Sequence, residues 1–158
     1  MLGFDHFLAM FGVGIWGAQM GGRKIWSLPM SFPLIMCVGA LIAISNIFAF
    51  IFVEQIIALS VIVLGFIIFI KWSPNELIAI LVISIFALFH GYAHGVELPR
   101  ANDPISFIIG FVLSTGLIHL FGIGTGYFCD KFYNGKLSRI IGILITITGL
   151  IFVFRIYI

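Results

Sequence analysis

The chain has 158 residues, of which 62% are hydrophobic and 9% charged, and its mean hydropathy is +1.26. These proportions exclude a water-soluble globule and point to an integral membrane protein in contact with a lipid bilayer. A net charge of +2, with no basic cluster interleaved with exposed aromatics, gives no reason to expect a nucleic-acid partner.

The apolar residues come in runs of helical length, rich in Phe, Ile and Leu and without period-two alternation, so the expected fold class is all-α rather than a β-barrel. The chain begins abruptly. A secretory signal needs a basic segment and a small-residue cleavage site, whereas Asp5-His6 directly precedes the apolar residues, so nothing here reads as removable. The first span is expected from about Gly3 to Gln19, closed by the polar turn Gly21-Gly22-Arg23-Lys24. Leu28 to Ile70 is too long for one crossing at about 20 residues each. It breaks best at Ser45-Asn46, giving a second span near Pro29–Ile44 and a third near Phe52–Ile70. Lys71 to Glu76 is a loop, with Pro74 favouring a turn and a helix restart, and the fourth span runs from Leu77 to about Glu97. After Leu98 to Pro104, whose two prolines bracket polar residues, a fifth span reaches about Tyr127. A loop over Cys129 to Lys136 and a sixth span from Leu137 to Ile156 complete a six-transmembrane-helix bundle, one transmembrane domain over residues 1–158.

Lys and Arg set the orientation. The odd-numbered loops hold Arg23, Lys24, Lys71, Lys131, Lys136 and Arg139, against Arg100 and Arg155 on the other side, so the odd loops are expected in the cytoplasm and both termini outside. Trp16, Trp26, Trp72, Tyr127 and Tyr133 lie near span ends, where interface anchors belong. Three helices before and three after the Lys71 loop give the halves opposite orientations, as inverted repeats require, although no sequence match joins them. Cys37 in an apolar run and Cys129 in a loop make neither a disulfide framework nor a CxxC knuckle, and read as ordinary small residues.

The chemistry gathers where the fourth span ends, in Phe89-His90-Gly91-Tyr92-Ala93-His94-Gly95-Val96-Glu97. On a helix, His90 and His94 stand one turn apart and Glu97 falls about 20° from His90 around the axis, so all three share one stripe. Two imidazoles and a carboxylate suit nickel, cobalt or zinc and suit magnesium or calcium poorly. A plain polar helix end would present the same residues, but ionisable groups at membrane depth are costly and usually functional. Gly91 and Gly95 would let another helix approach closely, and Gly17 to Gly21 and Gly122 to Gly126 repeat that spacing as packing surfaces.

Asp5 and His6 open the first span on the same side of the membrane, either as ligands or as an N-terminal cap favoured by the helix dipole. Met10, one turn past His6, reads as packing. Glu54 opens the third span there, as a cap or a site residue. At 1.5 Å per residue, His94 lies about 5 Å and His90 about 10 Å inward of Glu97, with His119 roughly 20 Å below the outer boundary. His119, one turn after Thr115, is either a hydrogen-bonded interhelical residue or a relay.

The Phe89–Glu97 stretch resembles the signature of the hydrogenase/urease accessory nickel permeases, the HupE/UreJ family. Gly3-Phe4-Asp5-His6, Leu8-Ala9-Met10, Val13-Gly14 and Trp16-Gly17-Ala18-Gln19 resemble that family's first helix. The likeness runs on through Gly22-Arg23, Pro29 and Ile57-Ala58-Leu59-Ser60-Val61 to Leu98-Pro99. It implies passive or secondary uptake of nickel, sometimes cobalt, across a bacterial inner membrane to supply nickel enzymes, with no prosthetic group. Asp5, His6, His90, His94 and Glu97 carry over as its metal ligands. The family's first motif has a further histidine six residues before the aspartate, and this chain starts too late to hold it. The expectation is a native start upstream of Met1, with a histidine encoded there.

The rivals are a membrane metalloenzyme, a protein holding haem between His90 or His94 and His119, and an accessory protein that binds metal without transporting it. No His-Glu-x-x-His run is present, and four histidines are too few for a di-iron lipid oxidase, so no enzyme is expected. Nickel versus cobalt, the driving force and a homo-oligomeric state are left open.

Overall fold

A computed structural model describes residues 3–98 and 103–157. Among the described residues the structure is all helical: α1 (Phe4–Met20), α2 (Lys24–Ser45), α3 (Val53–Ile70), α4 (Glu76–Glu97), α5 (Pro104–Tyr133) and α6 (Lys136–Tyr157). α2 to α6 are long and apolar enough to cross a membrane. Their outward faces carry Leu, Ile, Val and Phe side chains that water would not tolerate at this density. The protein is therefore a multi-pass membrane protein. Arg100, one of the charges used to set orientation, and most of the segment between the fourth and fifth spans lie outside the described residues.

The helices pair as α1 with α5, α2 with α4, and α3 with α6, and α1 also touches α2, α3 and α6. α1 has 17 residues, with an unbroken buried run from Leu8 to Gly17. A helix buried all round is what an apolar segment becomes when neighbours surround it. Glycine makes each pairing close. A Cβ on Gly91 would strike the Met36 carbonyl and one on Gly39 the Leu88 carbonyl, so α2 and α4 touch backbone to backbone. Gly14 and Gly122 do the same for α1 and α5, and Gly65 and Gly142 for α3 and α6. Exchanging the two halves, α1 with α4, α2 with α5 and α3 with α6, returns the same set of three pairs. That exchange symmetry is the packing pattern an inverted repeat produces.

Most expected breaks are where the sequence puts them. α2 stops at Ser45 because Asn46 takes the left-handed conformation (φ 53°). α4 restarts after Pro74 with the Asn75 side chain accepting from the Ile78 N–H at 2.9 Å. α5 opens on Asp103, which accepts from the Ile105 and Ser106 N–H groups, with Pro104 as the first helical residue. The Ser106 hydroxyl, donating to the same carboxylate, holds Asp103 below the usual carboxylate range.

Four expectations are corrected. α2 begins at Lys24 rather than near Pro29, and both Pro29 and Pro33 lie inside it, each removing one backbone donor without ending the helix. α5 continues to Tyr133, so Cys129 is helical and buried instead of sitting in a loop. The polar residues Asp130 and Lys131 ride on a projecting helix end, and the connection shrinks to Asn134 and Gly135, both left-handed. Trp16 is not an interface anchor: it is fully buried, stacks on Trp72 and donates its indole N–H to the Trp72 carbonyl at 2.8 Å. Gly21 is not a packing glycine either, since a Cβ there would meet nothing and its φ of +68° serves the turn after α1.

Candidate metal centre

The start of α1 and the last turns of α4 meet at one end of the bundle and bring His6, His90 and His94 together. The His6 ring lies 4.7 Å from the His90 ring and 4.7 Å from the His94 ring, centroid to centroid, near edge-to-face in both cases. The close α2–α4 crossing sets this depth. With no side chain on Gly91, α4 presses against Met36 of α2 and turns His90 inward, where it is fully buried.

Each imidazole is held in the same way. His6 has its Nδ1 2.9 Å from Asp5 Oδ1, His90 its Nδ1 2.9 Å from the Phe86 carbonyl, and His94 its Nδ1 3.2 Å from Glu97 Oε2. His119 repeats the arrangement on α5, with Nδ1 2.9 Å from the Thr115 carbonyl. A carbonyl or carboxylate beside Nδ1 fixes the proton there and leaves Nε2 with a lone pair. All four Nε2 atoms are buried with no hydrogen-bond partner, as is the second carboxylate oxygen of Asp5, Oδ2. Buried nitrogens and oxygens are nearly always satisfied, so five unpaired metal-ligating atoms are a feature to explain.

The sequence placed Asp5, His6, His90, His94 and Glu97 on one side of the membrane, and the structure gathers them at one end of the bundle. What it adds is a division among them. Glu97 is exposed and meets His94 at Nδ1, and Asp5 is buried and meets His6 at Nδ1, so both carboxylates address the outer nitrogen of a ring. Glu54 is exposed in the first turn of α3 and makes no hydrogen bond among the described residues. Met10 is buried in the core as packing. Among the described residues no three His, Cys, Asp or Glu side chains are closed around a point as a finished coordination site. The group is an open one: its rings are in contact while its free nitrogens are not yet converged.

Beside an apolar cleft of about 250 Å³ that His94 shares with Met36, Gly91 and Val112, two further clefts reach these histidines. One of about 380 Å³, lined by His94, Glu97, Ser106, Gly110, Phe111 and Ser114, opens between α4 and α5. The other, of about 270 Å³, lies between α2 and α5 and reaches His119 and Thr115. Phe32 of α2 joins the two groups, its ring 5.6 Å from that of His90 and 5.7 Å from that of His119. Sequence spacing gave no sign of Phe32, because a phenylalanine in an apolar helix is indistinguishable from lipid-facing bulk until its neighbours are known.

The chain resembles known proteins over most of its length. The family described as HupE / UreJ protein matches residues 1–152. Protein HupE of Rhizobium leguminosarum bv. viciae is 38% identical over 122 residues, covering 77% of this chain and 63% of that protein. The chain thus spans less than two thirds of the length of this relative. No solved structure matches.

Proposed function

Since the chain belongs to the HupE/UreJ family, we propose that it is a permease for divalent nickel, or cobalt, in a bacterial inner membrane, supplying metal for hydrogenase or urease maturation. In this reading all six helices span the bilayer, the odd-numbered loops face the cytoplasm and both termini face outward. One observation carries it: His6 lies against both His90 and His94, and each of the three has Nδ1 engaged and Nε2 buried and unpaired. Nitrogen donors of this kind select late first-row dications over magnesium and calcium.

The exposed Glu97 attracts the cation to the cleft beside His94 and keeps that ring oriented. His6, His90 and His94 then replace its waters, and the free Oδ2 of Asp5 adds an oxygen donor and a balancing charge. His119 receives the ion farther in. An open group of donors suits cargo, because an ion gripped in a closed cage would not leave. A haem bridged from His90 to His119 would have to displace the buried Phe32 ring that touches both, which favours the permease over that rival.

The test is metal flux into proteoliposomes enclosing a metal-responsive dye, with nickel, cobalt, zinc and manganese, with and without a proton gradient. Nickel or cobalt should enter faster than manganese, and His90→Ala and His94→Ala should each abolish the difference. Flux should also fall in acid once the site imidazoles protonate, because a protonated Nε2 has no lone pair to offer. Wild-type protein that binds nickel but passes none would make it a metal-binding accessory protein. Equal flux through wild type, His90→Ala and His94→Ala would end the proposal.

A further inference from the structure

Resting on the permease reading, we propose that Phe32 is a gate between two stations for the same ion, the three-imidazole group at the mouth and His119 farther in. The ring is fully buried and meets one histidine of each station at similar distance and the same 65° inclination. The clefts beside the two stations, one reaching His94 and Glu97 and the other His119 and Thr115, share no lining residue, and the apolar cleft between them, which takes in His94 and Val112, offers a dication no further imidazole or carboxylate. His119 has its own buried, unpaired Nε2, and the neighbouring Thr115 hydroxyl is buried and unpaired as well, so the inner station has donors of its own.

A phenyl ring offers no lone pair, and a dication that has shed water cannot rest against apolar carbon without a large desolvation cost. While the ring touches both imidazoles, it therefore interrupts the ladder of donors. The backbone that carries it is suited to movement. Pro29 and Pro33 flank Phe32 on α2, each deleting one rung of the helix ladder, and both line the inner cleft. The α2 backbone can thus bend at Phe32 at smaller cost than an intact helix would charge. Small displacement of one turn of α2 would swing the ring clear and let Nε2 of His119 take over an ion held at His90.

The test compares nickel flux in proteoliposomes with equilibrium nickel binding to the purified full chain. Phe32→Trp should slow flux by about tenfold or more while leaving binding within about twofold of wild type, since a bulkier ring blocks passage without removing a ligand. Phe32→Ala should raise flux and admit manganese, again with binding at the mouth retained. His119→Ala should lower the bound nickel from about two ions per chain to about one and stop flux. Phe32→Leu, apolar but smaller than phenylalanine, serves if the tryptophan variant does not fold, and should leak more than wild type and less than the alanine variant. Wild-type flux and selectivity in the Phe32 variants would overturn the gate, as would binding lost in proportion to flux, which would make the ring mere packing at the mouth. A wild-type protein that neither binds nor passes nickel would instead sink the permease reading itself.

Discussion

The two ends of the bundle treat their polar groups in opposite ways. At the end carrying the α1–α2, α3–α4 and α5–α6 connections, polar side chains tie helices together. Gln19 donates to the Ile68 carbonyl and to Ser138 Oγ, Lys24 to the Pro74 carbonyl, and Arg139 to the Phe69 carbonyl, while Lys71 pairs with Asp130 at 2.8 Å. Its unpaired buried atoms are an amide oxygen, on Gln19, and a hydroxyl, on Ser27. At the histidine end and just below it, hydrogen bonds run within one helix or between neighbours in sequence, and what they leave over is four imidazole nitrogens, a carboxylate oxygen and the Thr115 hydroxyl. One end spends its polar groups on cohesion. The other orients them and leaves their lone pairs free, which costs stability unless a cation is there to use them.

The largest test of this contrast is to remove the packing that lets the histidine end exist. Gly91→Leu would drive a side chain into the Met36 backbone and separate α2 from α4, so little folded protein is expected by size-exclusion chromatography. Recovery of monodisperse, metal-binding Gly91→Leu protein would show that the close crossing is not what places His90.

A smaller effect should follow from Asp5→Asn and Glu97→Gln, which leave all imidazoles in place but weaken the groups that orient His6 and His94. Nickel affinity should fall by about 10–100-fold, the range typical of an orienting partner, and by less than with His90→Ala. Titration of purified protein with nickel reads this directly. A loss as deep as that of His90→Ala would make Glu97 a ligand in its own right, the part already proposed for Asp5 Oδ2.

The smallest effect belongs to the opposite end. Lys71 and Asp130 are both more than a third exposed, so Lys71→Ala or Asp130→Ala should change stability by about 0.5 kcal/mol or less and leave flux unaltered. A thermal melt in detergent together with the flux assay checks it, and a strong loss of flux would mean that the two ends are coupled.

Much of the helical framework was legible because apolar length and turn chemistry are local properties. Asn46, Asn75 and the Asp103-Pro104 pair act on their own neighbours, so the breaks they make can be read in a few residues of chain. The errors arose where a local rule met a nonlocal environment. Pro29 looks like the start of a span, but the helix runs back to Lys24 and carries both Pro29 and Pro33 inside it, because backbone in lipid has nothing better to become than helix. Trp16 looks like an anchor because it sits near a span end, but α1 is enclosed by its neighbours and the indole faces inward. Among the site residues, the stripe of His90, His94 and Glu97 followed from helical periodicity alone.

The sequence by itself determined an all-helical membrane chain, the places where it turns, and a set of imidazoles and carboxylates concentrated toward one side, because hydropathy and helical period are written residue by residue. Only the tertiary structure decided that His6 meets His90 and His94, that Asp5 and Glu97 face the outer nitrogens, and that Phe32 lies against both His90 and His119. It also decided the pairing of α1 with α5, α2 with α4 and α3 with α6, which keeps its form when the halves are exchanged although their sequences do not match. The physical reason is common to all of these. In lipid, helices are sorted by how closely their backbones can approach, and that depends on which glycine faces which carbonyl across the bundle, a relation no single stretch of chain contains.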